Sequence, residues 1–423
     1  MADRIGANFA NLRNSPLALR AVALWGRSWL TRVLVVWSAT RLVATLLFLW
    51  AASTQGPSPW SPGGKPQYFD FLNIWDVEWY HRIFDFGIGH VPGYAVHLPT
   101  FADGSVQQNS WAFMPGFPLL IRGLTFLTGG LVPWKVLAPT ASLVLSFALA
   151  VMIYKLFRLK FDEGVSLWGL TLFGFWATSP VLQVGYAETL GLLFLTGGLY
   201  YLLQHRYLMA VPWLVGLSVT RPGMVSFAAM LFGMWIVRWF KHRSGNVFFT
   251  TTERWQLGGL AIFSGVLGLA WPIFAWIITG RMDAYTATEL AWRYSGANAH
   301  LILMDGWFGI GSLLLGPQWG WVFVLFAVTL AVWVQFSKSV RQLGNELRLW
   351  NGAYFLYLLL VFNPQSSTFR ILMPAFPLMA ALAFKTRNLS ATSKWFVLVF
   401  MTITQMVWLA LCWVYVNPDY TPP

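Results

Sequence analysis

The sequence predicts an all-α integral membrane protein, a bundle of about eleven transmembrane helices with amphipathic helices in its first outer loop. Three observations predict it. Of 423 residues, 57% are hydrophobic and 10% charged, with a positive mean hydropathy, so lipid rather than water is the natural solvent. Apolar windows long enough to cross the hydrocarbon recur along almost the whole chain. The polar stretches between them carry Lys and Arg at alternate connections, the mark of helices crossing back and forth under the positive-inside rule. A transmembrane barrel would need alternating segments of roughly ten residues, and none is present. The formal charge of +13 is spread over helix ends rather than gathered in a patch, so it reports topology and not a nucleic-acid partner.

Residues 1–32 carry Arg4, Arg13, Arg20, Arg27 and Arg32 against Asp3, a basic cytoplasmic N-terminus. The first span, about 33–53, runs outward; it is long and lacks a small-residue cleavage site, which predicts a retained anchor. A single polytopic membrane domain then covers 33–416, and 417–423 form an outer C-terminal tail. Residues 54–111 form a long outer loop that opens with Pro57, Pro59, Pro62, Gly63 and Gly64, which is turn and coil chemistry. The stretch 111–130 is apolar but contains Pro115, Pro118 and Arg122, so a membrane-embedded or interfacial helix is expected. Spans follow at about 134–156, 164–181 and 186–204, the first ending in Lys155, Arg158 and Lys160. Two shorter apolar pieces, about 208–220 and 223–240, are joined at Thr220-Arg221-Pro222-Gly223, where the Pro-Gly pair breaks the helix. A span at about 257–279 leads to a second outer loop, 280–318, holding Asp283, Glu289, Arg293, His300 and Asp305. Spans at about 319–336, 349–362, 371–384 and 395–416 complete the bundle, with Lys338, Arg341, Arg348, Lys385, Arg387 and Lys394 at the inner connections. The only cysteine, Cys412, falls in the last apolar segment and reads as a packing or lipid contact.

The chain has fifteen acidic residues, and Asp70, Asp76, Glu78, Asp85 and Asp103 all fall in the first outer loop. From Asp70 to Phe86 the apolar residues Leu72, Trp75, Trp79, Ile83 and Phe86 recur at three and four, predicting one amphipathic helix on the membrane surface. On it Trp75 and Trp79 read as membrane-facing anchors and Asp70 as the cap. Glu78 pairs with Arg82 one turn on, and Asp85 lies within reach of Arg82 and His81. Asp76 has no helical partner, so it reads either as a base perturbed by desolvation or as a solvated loop acid. Glu188 and Arg221 each cost about 2.5–3.5 kcal/mol at mid-helix in lipid, which points them to the protein interior, as an ion pair or as substrate contacts. Arg293 and Arg370 add cations on the outer face, against the usual bias; a phosphate-bearing lipid would account for them, as would headgroup contacts or loop ion pairs. His81, His90 and His97 lack metal-ligand spacing, and no phosphate-cradling loop is present, so neither a bound metal nor a soluble nucleotide donor is expected.

The segments Trp75-Asp76-Val77-Glu78-Trp79-Tyr80 with Gly87, and Ala112 to Arg122, resemble the PIG-V-type mannosyltransferases of the GT-C class of membrane glycosyltransferases. Tyr186-Ala187-Glu188-Thr189-Leu190, Leu217 to Pro222, Ala291-Trp292-Arg293 and Phe369 to Leu378 continue the likeness over most of residues 70–380. Ala187 and Thr189 stand where members tend to have serines, which leaves the acceptor open. The resemblance implies a GT-C-like bundle and inverting transfer of mannose from a polyprenyl-phosphate carrier to a lipid or glycan acceptor, outside the membrane and without a metal. Asp76 would be the base, with Trp75, Glu78, Tyr80, Glu188, Arg221, Trp292, Arg293 and Arg370 contacting substrate. A single chain with short loops fits a bacterial plasma membrane and a cell-envelope glycan. The competing expectation is a transporter or flippase of a lipid-linked sugar, to which the break at Arg221-Pro222-Gly223 belongs.

Overall fold

The computed structural model describes residues 28–91, 93–293, 301–418 and 421–423. Most of the expected basic N-terminus, residues 1–27, and His300 lie outside the described residues. Ser28 caps the first helix, its Oγ accepting from the backbone N–H of Thr31 at 3.2 Å. In chain order the helices are α1 (Trp29–Thr54), α2 (Tyr68–Phe71), α3 (Val77–Phe86), α4 (Gly116–Leu127), α5 (Trp134–Arg158) and α6 (Glu163–Gly174). They continue as α7 (Glu188–Leu203), α8 (Tyr207–Ser218), α9 (Met224–Arg243), α10 (Thr251–Thr279), α11 (Ala284–Leu290) and α12 (Asp305–Leu315). The last are α13 (Gly320–Phe336), α14 (Lys338–Arg341), α15 (Gly344–Val361), α16 (Thr368–Ile371), α17 (Pro377–Lys385) and α18 (Ala391–Trp408). Among the described residues there is no strand, only isolated bridges such as Ile88 with Tyr94.

The chain is a multi-pass membrane protein. Among the described residues, five helices are long and apolar enough to cross a bilayer: α1, α5, α9, α10 and α18 with the helical turns after it to Trp413. The pair α12 and α13, bent by 119° at its break, makes up to a sixth. The other expected spans are helical too, but α7 and α8 are shorter than the hydrocarbon is thick, and α6 and α17 stop after 12 and 9 residues. The stretch 111–130 is a short apolar helix, α4, with Phe126, Leu127 and Leu131 exposed. In the second expected loop, 305–315 is helical.

The sequence expectation of one helix across 164–181 is corrected by a buried cation that its local pattern does not reveal. Helix α6 ends at Gly174 and the chain turns through a 3₁₀ segment, Ser179–Gln183. The carbonyls this exposes are satisfied from elsewhere: Arg41 of α1, 3% exposed, donates to the Ser179 carbonyl at 2.7 Å and to the Gly174 carbonyl at 3.0 Å. Gln405 of α18 donates to the Ser179 hydroxyl at 2.9 Å and to the Trp176 carbonyl at 3.2 Å.

Among the described residues two large apolar clusters, with a third, lesser one around Tyr94, Trp111 and Trp271, carry the packing. The larger, with Trp37, Phe157, Phe173, Leu199, Phe227 and Trp350, joins α1, α5, α6, α7, α9 and α15. The smaller, with Phe48, Phe71, Val77, Phe117, Tyr186 and Trp413, fastens α2 to α4 onto the ends of α1, α5 and α18 and also holds Cys412. Ion pairs gather the basic connections at one end of the bundle: Arg32 with Glu163 (2.5 Å), Lys160 with Glu346 (3.3 Å) and Arg238 with Glu253 (2.8 Å). The acid-rich connection between α1 and α5 lies at the other end.

Candidate active site

The stretch 70–86, expected as one helix, is two. Helix α2 ends at Phe71, and α3 begins after a turn at which Trp75 takes a left-handed conformation, φ 63°. That conformation costs a non-glycine residue about 1–2 kcal/mol. Trp75 is held in it from the far end of the chain: its indole N–H donates to the Trp413 carbonyl at 2.8 Å, and its ring packs against Trp60 and Tyr415. The turn aims Asp76 inward. Asp76 sits at the cap position of α3 but makes no capping bond; its backbone N–H donates to the Tyr186 hydroxyl at 3.2 Å.

Asp76 is therefore not the unpaired carboxylate its helical neighbours suggested. Arg370 Nη1 of α16 donates to Asp76 Oδ2 at 2.7 Å and lies 3.5 Å from Glu188 Oε1. Helix α16 is placed by the carbonyl of Phe369, which accepts from Trp176 Nε1 at 3.1 Å and Thr178 Oγ1 at 3.2 Å. Glu188, 4% exposed at the start of α7, also pairs with Arg221 Nη1 at 3.0 Å. Arg221 sits at the break between α8 and α9, where Gly223 has φ +129°. Gly191 makes room for it, since a Cβ there would lie 2.6 Å from Arg221 Cγ. The result is a chain of alternating charge, Asp76, Arg370, Glu188, Arg221, in which the Arg370 guanidinium also covers the face of Tyr186, 5.0 Å from the ring centre.

These four line a cavity of about 270 Å³ together with Tyr80, Trp292 and Arg293. Tyr80 is buried, and burial pushes its phenol above the ordinary range. Trp292 meets Trp79 and Phe113 edge to face, and its indole N–H is buried with no acceptor among the described residues. Arg293 Nη1 donates to the Val361 carbonyl at 2.7 Å. Burial works against the charge on Arg370, but Asp76 and Glu188 outweigh it and raise its proton affinity above the ordinary arginine value.

Two expected contact residues lie outside this lining. Trp75 packs behind it on Trp60 and Tyr415, and Glu78 is taken by Arg82 and by Trp60 Nε1, at 3.1 Å from the latter. The expected pair of His81 with Asp85 is present at 3.4 Å, whereas Asp70 pairs with Lys135 instead of capping. Trp75 and Trp79 are half-buried, their rings packed on Tyr415 and on Phe113 and Trp292 respectively.

Sequence reasoning left Glu289 out of the site, although its spacing from Arg293 follows the favourable helical order. Glu289 lines the cavity, and burial raises its carboxyl above the ordinary value, against Arg293 and a hydrogen bond from Tyr285. It also lines a second, mostly apolar cavity of about 290 Å³, with Met224, Val225, Leu267 and Pro272 of α9 and α10. Arg221 and Arg293 border both spaces, so a polar chamber adjoins an apolar cleft with two cations at the seam. Among the described residues no three His, Cys, Asp or Glu side chains converge as a metal-binding group.

Among solved structures, the chain is similar in outline to the Archaeoglobus fulgidus oligosaccharyltransferase tethered to an acceptor peptide by a disulfide, with TM-score 0.45 and 11% identity over 92% of this chain and 56% of that one. It is similar to the oligosaccharyltransferase of the same organism with zinc and sulfate, with TM-score 0.44 and 12% identity over 89% and 53%. A third is the archaeal oligosaccharyltransferase AglB from that organism with an inhibitory peptide and a dolichol-phosphate, with TM-score 0.41 and 11% identity over 92% and 56%. The chain spans about half the length of these proteins. No family model matches the sequence, and no curated protein does.

Proposed function

We propose that the chain is an inverting glycosyltransferase that moves mannose from a polyprenyl-phosphate-mannose donor to an acceptor hydroxyl at the extracytoplasmic face of a bacterial plasma membrane. The observation that carries this reading is the seam: a carboxylate chamber, an adjoining apolar cleft, and Arg221 and Arg293 bordering both. A lipid phosphate at the seam has cations for its oxygens and apolar walls for its chain. Asp76 accepts the proton of the acceptor hydroxyl as its oxygen bonds to the anomeric carbon; the carbon–phosphate-oxygen bond breaks, and its electron pair leaves with the lipid phosphate. Arg221, Arg293 and Arg370 offset the charge that develops there, so in this reading no metal or other cofactor is needed. Asp76 then returns its proton to water. The acceptor is a lipid or glycan of the cell envelope, and membrane lipids surround the rest of the chain.

The test is labelled polyprenyl-phosphate-mannose given to purified wild-type and Asp76→Asn protein. Wild type forms a mannosylated product, and the variant, at equal folded amount, loses at least about 10²-fold in rate. Undiminished transfer by the variant removes Asp76 from the chemistry. The broken helix at Arg221-Pro222-Gly223 favours the flippase reading, which gains if labelled lipid crosses proteoliposomes and no product forms.

A further inference from the structure

Helix α15 has cavities on two faces. Trp350, Tyr354, Leu358 and Val361 line the chamber already described. Arg348, Gly352 and Leu356 line a separate cavity of about 460 Å³, walled by Ala229 and Val237 of α9 and by Gln335 of α13. The two linings overlap along α15, 350–361 against 345–356, and lie on different faces of it, with the second cavity reaching further toward the Gly344 end.

The cavity is lined mostly by apolar residues, with Gln335, Asn345 and Arg348 as its polar side chains, and two buried donors among these lack acceptors. Arg348 Nη2 donates to the Gln335 carbonyl at 3.2 Å, but Arg348 Nε and the side-chain amide nitrogen of Gln335 are buried with no acceptor among the described residues. Acids of that end are already engaged, Glu346 by Lys160 and Glu253 by Arg238. Buried donors without acceptors cost free energy until an oxygen-rich group reaches them. Around the cavity α9, α13 and α15 expose Phe232, Trp333 and Leu356, as a lipid-facing surface does. An occupant with oxyanion oxygens for a guanidinium and long apolar chains for the flanking helices meets both demands.

We propose that this cavity binds the headgroup of an anionic phospholipid, its phosphate on Arg348 and Gln335 and its acyl chains along α9 and α13. The site is independent of the transfer chemistry. Wild-type protein, Arg348→Gln, Gly352→Leu and Lys338→Gln are placed in nanodiscs of phosphatidylcholine with and without phosphatidylglycerol, and their melting temperatures compared. Gly352→Leu fills the cavity, since even a Cβ there would meet the Gln335 amide at 3.4 Å. Lys338→Gln removes an exposed cation of the same end that does not line it. Phosphatidylglycerol is expected to raise the melting temperature of wild type and Lys338→Gln by a few degrees and to leave the two cavity variants unmoved. If Arg348→Gln fails to fold, Gly352→Leu carries the same comparison. An equal rise in the cavity variants, no rise in wild type, or the same rise from inorganic phosphate in phosphatidylcholine discs overturns the proposal.

Discussion

Asp76 and Arg370 form the contact on which most else in the chamber depends. Removing one partner of a buried ion pair strands the other, at a cost of about 3–5 kcal/mol. Arg370 serves two carboxylates and is 8% exposed, so Arg370→Ala should fall in this range and Arg370→Lys well below it, as read from thermal melting in a fixed detergent. Glu289 gives the opposite kind of prediction. Because burial raises its carboxyl, the folded chain binds that proton more tightly than the unfolded chain; this stabilisation is complete below the ordinary glutamate value of 4.5 and is lost as pH rises through the raised one. Glu289→Gln should therefore melt higher than wild type near pH 8, with the gap closing near pH 4. Equal gaps at both ends would show that the residue's charge is not what burial opposes. At this scale Asp76, Glu188, Arg221, Arg293 and Arg370 were legible in the sequence as unusual residues, and Trp292 only through the resemblance. The pairing of Asp76 was not, because its partner lies 294 positions away and local spacing carries no trace of it.

At the scale of elements, the breaks matter more than the helices. Apolar length revealed α1, α5, α10 and α18, and the Pro-Gly pair revealed the break before α9. The break at Trp75 stayed hidden because the apolar period runs through 70–86 without interruption, while the backbone turn is imposed by Trp60, Trp413 and Tyr415. The stop after Gly174 stayed hidden for a like reason, since its carbonyls are satisfied by Arg41 and Gln405 from the first and last long helices. Arg41→Met keeps much of the side-chain volume and removes the donors. It should destabilise by about 1–3 kcal/mol for each carbonyl left without a partner, measured as a drop in melting temperature. A Gln405→Leu variant should lose less, because Arg41 still serves the Ser179 and Gly174 carbonyls and the Trp176 carbonyl keeps the Ser179 backbone N–H.

Across the whole molecule, the paired basic connections lie at one end and the chamber, with three carboxylates and three arginines in its lining, at the other. If the chamber's arginines supply all the positive charge that transfer needs, prior dialysis against a strong chelator should leave the rate within about twofold, measured on the purified protein; a loss restored by added divalent cation would oppose that view. The separation of Asp76 from Arg370 also has a consequence in time. Ribosomes add about 5–20 residues per second, so a nascent chain carries Asp76 for about 15–60 s before Arg370 is made. Through that interval Asp76, and Glu188 from the time it is made, lack the guanidinium they later share, and the chamber is complete only once α16 has been added. Arrested chains that stop short of α16 should accordingly expose these carboxylates to water-soluble carbodiimide, which the finished protein shields.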